Sequence, residues 1–478
     1  MHIKKTVLLI LLCIAASVVA ERKPNILFIA IDDMNDWTGF LGGHPQAVTP
    51  NMDALAKKGV NFTNAHCSAP GCSPSRNSLL FGVEPFRSGL YAFYDHAGFP
   101  DQLMKPYQAM TEFFKQNGYE TYGSGKIHHR REPTAIEWTE YYDHKSKELP
   151  NLRFDEADGY RVGKDWKLNF SPTLNPLEDH PDYRFATFGV EVLEREHKKP
   201  FFLAVGLVKP HLPFTAPKRF FDMYPKEVMP PRINVDDWSD IPAVGRAMAK
   251  AGDDRRFKED NAWTAVRRAY LACISWADYN VGRLLDALEA SPYAENTIIV
   301  LWSDHGFALG EKRHFRKFAL WEETTRVPFI IWDAREKEIR SGREIADGVS
   351  LINIYRTLAD LAGLKPPEYV DGYSLAPYLR NTSKPLPEPS ICTWGRGNYT
   401  LRDAQWRYTR YYDGSEELYA HAVDPDEWVN QAGNPEYVPI KKRMAVYFPK
   451  VEVPLIIKGL EKWSVPTSAD KPLGSKKK

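Results

Sequence analysis

The chain has 478 residues, 43% hydrophobic, 26% charged and 13% aromatic, a globular composition that excludes disordered, collagen-like and coiled-coil classes. Lys and Arg (63) nearly cancel Asp and Glu (62), leaving a formal charge of +1. No global field therefore draws the protein to nucleic acid, and any anion recognition is local.

Residues 1–20 read as an export signal. His2, Lys4 and Lys5 precede an apolar run over 7–16 that is too short to span a bilayer, and Val18 and Ala20 stand where a signal peptidase reads. No later segment approaches the roughly 20 apolar residues of a spanning helix. The expectation is a periplasmic or secreted protein with no stable membrane anchor. Cys67, Cys72, Cys273 and Cys392 remain after the signal, too few for a disulfide framework, so at most one bridge is expected.

Asn25 to Ile31 (NILFIAI) is a continuous apolar run of strand length, as in a strand buried on both faces of a parallel sheet. The runs 201–207 (FFLAVGL), 297–302 (TIIVLW) and 327–332 (VPFIIW) repeat it. Between them Tyr270, Ile274, Ala277, Val281, Leu284 and Leu288 fall at helical spacing, and Ser291-Pro292 marks the stop. Strands alternating with helices predict an α/β domain with helices on both faces of the sheet. The stretch 140–183 reads as a polar, aromatic excursion over the surface. Beyond about residue 380, runs such as 406–412 (WRYTRYY) predict a small antiparallel subdomain. The expected division is a main domain over 21–380, a subdomain over 381–463 and a solvated tail over 464–478.

Asp32 and Asp33 close the first strand, at the end where ligands gather in open α/β sheets. Adjacent carboxylates repel unless a cation lies between them, and hard oxygen donors suit Ca²⁺ or Mg²⁺; a helix cap or turn is the plainer reading. Trp302-Ser303-Asp304-His305 delivers another acid at a strand end and favours a convergent metal site. In Gly71-Cys72-Ser73-Pro74-Ser75-Arg76, Cys72 falls where loop becomes helix, with Pro74 in the first turn and Leu79 and Leu80 inward. Free N–H groups at such a start favour an anion. A half-buried thiol is the bland alternative, and zinc on His66, Cys67 and Cys72 lacks the spacing of structural sites.

Cys-x-Pro-Ser-Arg followed by x-x-Leu-Leu-x-Gly resembles the signature of the type I sulfatases, with Phe81 where Thr is usual. The resemblance runs from about Pro24 to Glu436. FFLAVGLVKPHLPF (201–214), SDHGFALGE (303–311) and the helix containing Asp278 and VGRLLDAL are similar to the iduronate-2-sulfatase branch, with Phe307 replacing Trp. It implies an alkaline-phosphatase-like mixed sheet sandwiched by helices, with a smaller C-terminal antiparallel sheet. It also implies that 21–380 is the catalytic domain. Cys72 would be converted to formylglycine by a maturation enzyme. One Ca²⁺ would bind Asp32, Asp33, Asp304, His305 and the modified residue 72. Arg76 would hold the formylglycine hydroxyl, Lys126 would contact nucleophile and sulfate, and His211 and Lys317 would contact sulfate. Gly125-Lys126-Ile127-His128-His129 leaves the histidine partner open: His128 has arylsulfatase spacing and His129 the spacing of the iduronate branch, which we favour.

The implied mechanism is sulfate ester hydrolysis. One hydroxyl of the hydrated formylglycine attacks sulfur, His211 or Lys317 protonates the leaving alcohol, and His129 takes the proton that releases sulfate. The substrate would be a sulfated saccharide cleaved by exo-action. Arg130, Arg131, Lys209, Arg316 and Arg396 are rim cations by sequence position, and Tyr94, Phe307 and Trp394 are faces for sugar stacking. The competing readings are a phosphate or phosphonate ester hydrolase, a choline sulfatase, and a catalytically dead glycan-binding homologue.

Overall fold

Eight strands make the central sheet of this computed structural model: β1 (Asn25–Ile31), β2 (Val60–Phe62), β3 (Glu120–Gly125), β4 (Glu140–Tyr142), β5 (Phe201–Leu207), β6 (Thr297–Ser303), β7 (Phe329–Asp333) and β8 (Arg343–Ile345). Their order is β8-β2-β7-β6-β1-β5-β3-β4. The structure describes residues 22–91, 104–129, 133–143, 149–161, 168–336, 342–381 and 383–455. The expected signal 1–20, the tail 464–478, Tyr94, Arg130 and Arg131 lie outside the described residues.

The sheet is mixed. β1 lies at its centre, parallel to β5 and β6, while β7 runs antiparallel to β6 and β2. The predicted strand at 327 begins instead at Phe329, because Pro328 has no N–H to give to a ladder. Every residue of β1 is buried, and its alternate side chains enter two different cores. Ile26, Phe28 and Ala30 pack with Leu79 and Leu80 of α2 (Cys72–Phe81) and Leu358 of α5 (Asn353–Leu361). Leu27, Ile29 and Ile31 pack with α1 (Pro50–Lys58), α3 (Pro181–Glu194) and α4 (Trp263–Ala290). A strand covered on both faces can carry no polar alternation, hence the unbroken apolar run.

Register places the site. Ile31 lies opposite both Leu207 and Ser303. The three strands therefore end level, and Asp32, Val208 and Asp304 leave the sheet along one edge.

The stretch expected to wander over the surface is partly built in. It supplies the edge strand β4, and Phe170–Thr173 pairs parallel with Phe214–Pro217, burying Phe170 in the α4 core. A second sheet follows, antiparallel in chain order: β9 (Ser390–Thr393), β10 (Tyr399–Arg402), β11 (Trp406–Arg410) and β12 (Glu416–Ala420). Tyr399, Leu401, Tyr408 and Leu418 form its own small core with Met444 and Phe448. The sheet also docks on the main body: Cys392 and Trp394 join the α2 core, and the Thr393 N–H donates to Ser68 O at 2.9 Å. No helix among the described residues is long and apolar enough to cross a membrane.

Candidate active site

The acids at the strand ends are locked to one another. Asp33 takes a left-handed φ of 64°, a conformation that Asp tolerates better than most residues. Its N–H donates to Asp304 Oδ1 at 3.1 Å, and the Met34 N–H donates to Ser303 Oγ at 3.0 Å. Tyr270 of α4 completes the turn, its hydroxyl donating to Asp33 O at 2.8 Å and accepting from the Asn35 N–H at 2.9 Å. Asp32, Asp33, Asp304 and His305 are all 0% exposed.

Cys72 is the first residue of α2, which no side chain caps. Gly71 before it lets the chain pass close to two rings, since a Cβ there would lie 3.0 Å from the Trp394 ring and 3.3 Å from Phe318. At the other end Gly82 takes the left-handed conformation (φ 67°) that stops the helix. Cys72 Sγ stands 3.3 Å from His305 Nε2, 3.7 Å from Asp33 Oδ1 and 2.9 Å from Lys317 Nζ. Burial and Asp32 push its thiol up, but Lys126 and Lys317 outweigh them and bring it down to about 7.

One turn along α2, Arg76 ties three segments together at 0% exposure. Its Nε donates to Asp304 Oδ2 at 2.8 Å and its Nη2 to Asp32 Oδ1 at 3.3 Å. Its Nη1 donates to the carbonyls of Lys126 and Ile127 at 2.5 and 2.9 Å. Lys126 returns its ammonium to Asp32 Oδ2 at 2.5 Å. Lys317 Nζ lies 2.7 Å from Asp33 Oδ1, and His211 Nε2 lies 4.0 Å from Asp33 Oδ2. Burial pushes Asp33 up, yet His211 and Lys317 hold it at about 2.

The two histidines after Lys126 separate. His128 Nε2 is 2.6 Å from Glu137 Oε1, in a pocket where Thr111 Oγ1 also donates to Glu137. His129 is pushed down to about 3, first by burial and then by Lys126, with Asp32, Lys317 and Arg76 within electrostatic reach. Lys126 is thus the foremost cationic influence on the His129 ring, whereas the His128 ring is engaged by Glu137.

Ligand atoms of Asp32, Asp33, Cys72 and His305 all lie within 4.8 Å of one another. Asp304 stands beside them, with Oδ1 3.7 Å from His305 Nε2. Asp33 Oδ2 is buried with no hydrogen-bond partner, and a bare carboxylate oxygen among mostly oxygen donors fits a hard divalent cation. The zinc trio does not converge: His66 Nε2 bonds Asn64 Oδ1 at 2.7 Å, and Cys67 Sγ faces Cys392 Sγ at 3.9 Å. All four described cysteines are free thiols.

The expected rim is where sequence reasoning failed. Lys209 Nζ donates to the carbonyls of His211 and Pro213 at 3.1 and 2.5 Å. Arg316 pairs with Asp253, and Arg396 lies 3.5 Å from Glu452. Phe307 is 1% exposed, stacked on Tyr270 at 5.7 Å, and Trp394 is 4% exposed, stacked on Phe318 at 4.9 Å. Tertiary partners engage these cations, and the two rings are buried against other rings. Glu137 and Asp182 went unnoticed because each is a lone polar residue without a motif, and Tyr270 was read only as part of the apolar face of its helix.

Comparison with known proteins decides the family: the model described as Sulfatase matches residues 24–364. The chain belongs to the sulfatase family. A second model, for the C-terminal part of N-sulphoglucosamine sulphohydrolase, matches residues 310–453, spanning Lys317 and the second sheet. A sulfatase of Formosa agariphila is 36% identical over 432 residues, covering 86% of this chain and 83% of its own. Human iduronate 2-sulfatase is 30% identical over 401 residues, covering 72% and 70%. Among solved structures, an enzyme in complex with its substrate D-glucosamine-2-N,6-O-disulfate superposes with TM-score 0.69 at 21% identity, covering 89% and 96%. The phosphonate monoester hydrolase of Silicibacter pomeroyi reaches 0.71 at 19% identity, covering 89% and 94%, so fold alone does not separate sulfate from phosphonate chemistry. This sulfatase is a sulfuric ester hydrolase of alkaline-phosphatase-like fold, a mixed sheet between helices with a smaller antiparallel sheet.

Proposed function

We propose that this sulfatase is exported and hydrolyses sulfate esters of saccharides by exo-action, using a formylglycine made from Cys72 and one Ca²⁺ held by Asp32, Asp33, Asp304, His305 and residue 72. The observation that carries the reading is the position of Cys72, at a helix start 2.9 Å from Lys317 and 3.3 Å from His305. Formylglycine would supply there a hydrated aldehyde, with one hydroxyl to attack sulfur and a second from which to expel sulfate. Calcium would supply Lewis-acid stabilisation of the sulfuryl oxygens.

The chain's own residues do the rest. Lys126 and Lys317 bracket the position of the sulfate and stabilise charge as it grows on the sulfuryl oxygens, preorganised by Asp32 and Asp33. Arg76 bridges Asp32 and Asp304 and pins the Lys126 loop through two carbonyls. His211 protonates the leaving saccharide oxygen. Neutral His129 receives the proton released with sulfate.

The Cys-x-Pro-Ser-Arg context of Cys72, in place of a Ser or Thr nucleophile, supports sulfate over phosphate. The saccharide reading draws support from iduronate 2-sulfatase and from the enzyme bound to glucosamine disulfate. Peptide mass across residue 72 in protein from a formylglycine-competent host should show carbonyl in place of thiol. A panel of defined sulfated saccharides, choline sulfate, an aryl sulfate and a phosphonate ester should give turnover chiefly on saccharides. Activity confined to choline sulfate or the phosphonate would overturn the reading, and an unmodified thiol with no turnover would favour a glycan-binding protein.

A further inference from the structure

The loop that follows β5 carries His211, and one buried acid holds its beginning. Asp182 lies in the first turn of α3 and is 2% exposed. Its Oδ1 accepts the Val208 N–H at 2.8 Å and its Oδ2 the Lys209 N–H at 2.9 Å. The loop closes on itself from there: the His211 N–H donates to Val208 O at 2.8 Å, and Lys209 Nζ grips the carbonyls of His211 and Pro213. The His211 ring is fixed last, with Nδ1 at 2.6 Å from Leu212 O. That bond directs Nε2 toward Asp33, 4.0 Å away.

We propose that Asp182 is a positioning residue that sets His211 Nε2 for proton transfer to the leaving saccharide oxygen. The inference rests on the reading of His211 as that proton donor. In the step concerned, a hydroxyl oxygen of the modified residue 72 would bond to sulfur as the sulfur–saccharide S–O bond breaks. The electron pair of the broken bond stays on the saccharide oxygen, which takes the proton from His211 Nε2 while Nδ1–H stays on Leu212 O. A carboxylate is the group this place demands. It accepts two consecutive N–H groups with charge assistance, and the start of α3 favours its negative charge. A neutral amide would turn an NH₂ toward one of those N–H groups and tilt the loop. Misplacement by about 1 Å can cost on the order of 100-fold in rate.

Leaving-group dependence separates positioning from plain structural support. A saccharide alkoxide needs its proton, whereas 4-nitrophenolate departs without one. Asp182→Asn and His211→Ala should be assayed on a sulfated saccharide and on 4-nitrophenyl sulfate, for which slow turnover is expected. For Asp182→Asn we expect kcat/KM on the saccharide to fall about 10- to 100-fold, with the aryl sulfate within threefold and bound calcium unchanged. If this variant fails to fold, Asp182→Ser removes the charge without an opposing NH₂ and is held to the same result. Equal loss on both substrates, or loss on neither, overturns the role of Asp182 when His211→Ala is itself selective for the saccharide. If His211→Ala shows no such selectivity, the assignment of His211 falls, and the inference with it.

Discussion

Arg407→Met tests whether the C-terminal sheet braces Lys317, which we propose contacts sulfate. Arg407 lies on β11 at 0% exposure, its Nε on Glu427 and its Nη2 on Glu322. Its Nη1 also reaches Leu320 O at 3.3 Å, three residues beyond Lys317, and Trp321 Nε1 is held by Glu417 Oε2 of β12 at 2.9 Å. Methionine fills the volume but removes the cation shared by two buried carboxylates, leaving Glu427 to His421 and Glu322 to Arg402 and His421. Breaking a buried pair from one side costs about 3–5 kcal/mol. The acid side of the network gives a comparable figure. Burial pushes Glu427 up, and Arg407 with His421 reverses this, holding it at about 2 against an ordinary 4.5. A carboxyl displaced that far carries about 3 kcal/mol. Because the folded value is the lower, that stability is complete above pH 4.5 and is lost as pH falls toward 2. Equilibrium urea unfolding should therefore show Arg407→Met destabilised by about 3–5 kcal/mol at pH 7, with a smaller deficit near pH 3. The lost activity should come with Lys317 displaced, and Glu322→Gln with Glu427→Gln should restore part of the stability. A variant within about 1 kcal/mol of wild type and with unchanged kinetics would refute the brace.

Cys72→Ala should abolish sulfate release while the unfolding midpoint stays near wild type; turnover by the purified variant would refute the nucleophile assignment. Asp304→Ala should lose both bound calcium, read by elemental analysis, and activity, since it also frees Arg76 Nε from its 2.8 Å partner. His129→Ala should lower kcat by about 100-fold or more. His128→Ala should instead act through the 2.6 Å bond to Glu137 and show first in thermal stability, so a reversed pattern would exchange the two assignments.

Different parts of this protein were legible for different physical reasons. β1, β5 and β6 could be read because a strand buried on both faces needs an unbroken apolar run. The acids that end β1 and β6 follow from the same reading, since each is the next residue along. Cys72 and Arg76 share one helix turn, so their relation is local and survives in sequence as a spacing. Lys209 and Arg316 were misjudged as rim cations because their partners are fixed by tertiary structure: two carbonyls of the loop that Lys209 begins, and Asp253 63 residues away from Arg316. Phe307 was misjudged likewise, since Tyr270 and Phe214 enclose it from distant elements.

Groups that would touch the metal therefore come from strand ends and a helix start, where sequence order and spatial order coincide. Groups that hold them come from elsewhere in the chain. Asp182 meets its two N–H groups 26 and 27 residues later, and Arg407 meets Glu322 across 85. No spacing rule announces either, because each is a single charged side chain with many plausible surface roles. Burial is what distinguishes them. An ionised group inside a protein is tolerated only when its partners are in place, so a fully enclosed Asp182 or Arg407 marks a segment whose position is specified. That the segments so specified carry His211 and Lys317 is the structural ground for treating both as parts of the reaction machinery rather than as ordinary surface charges.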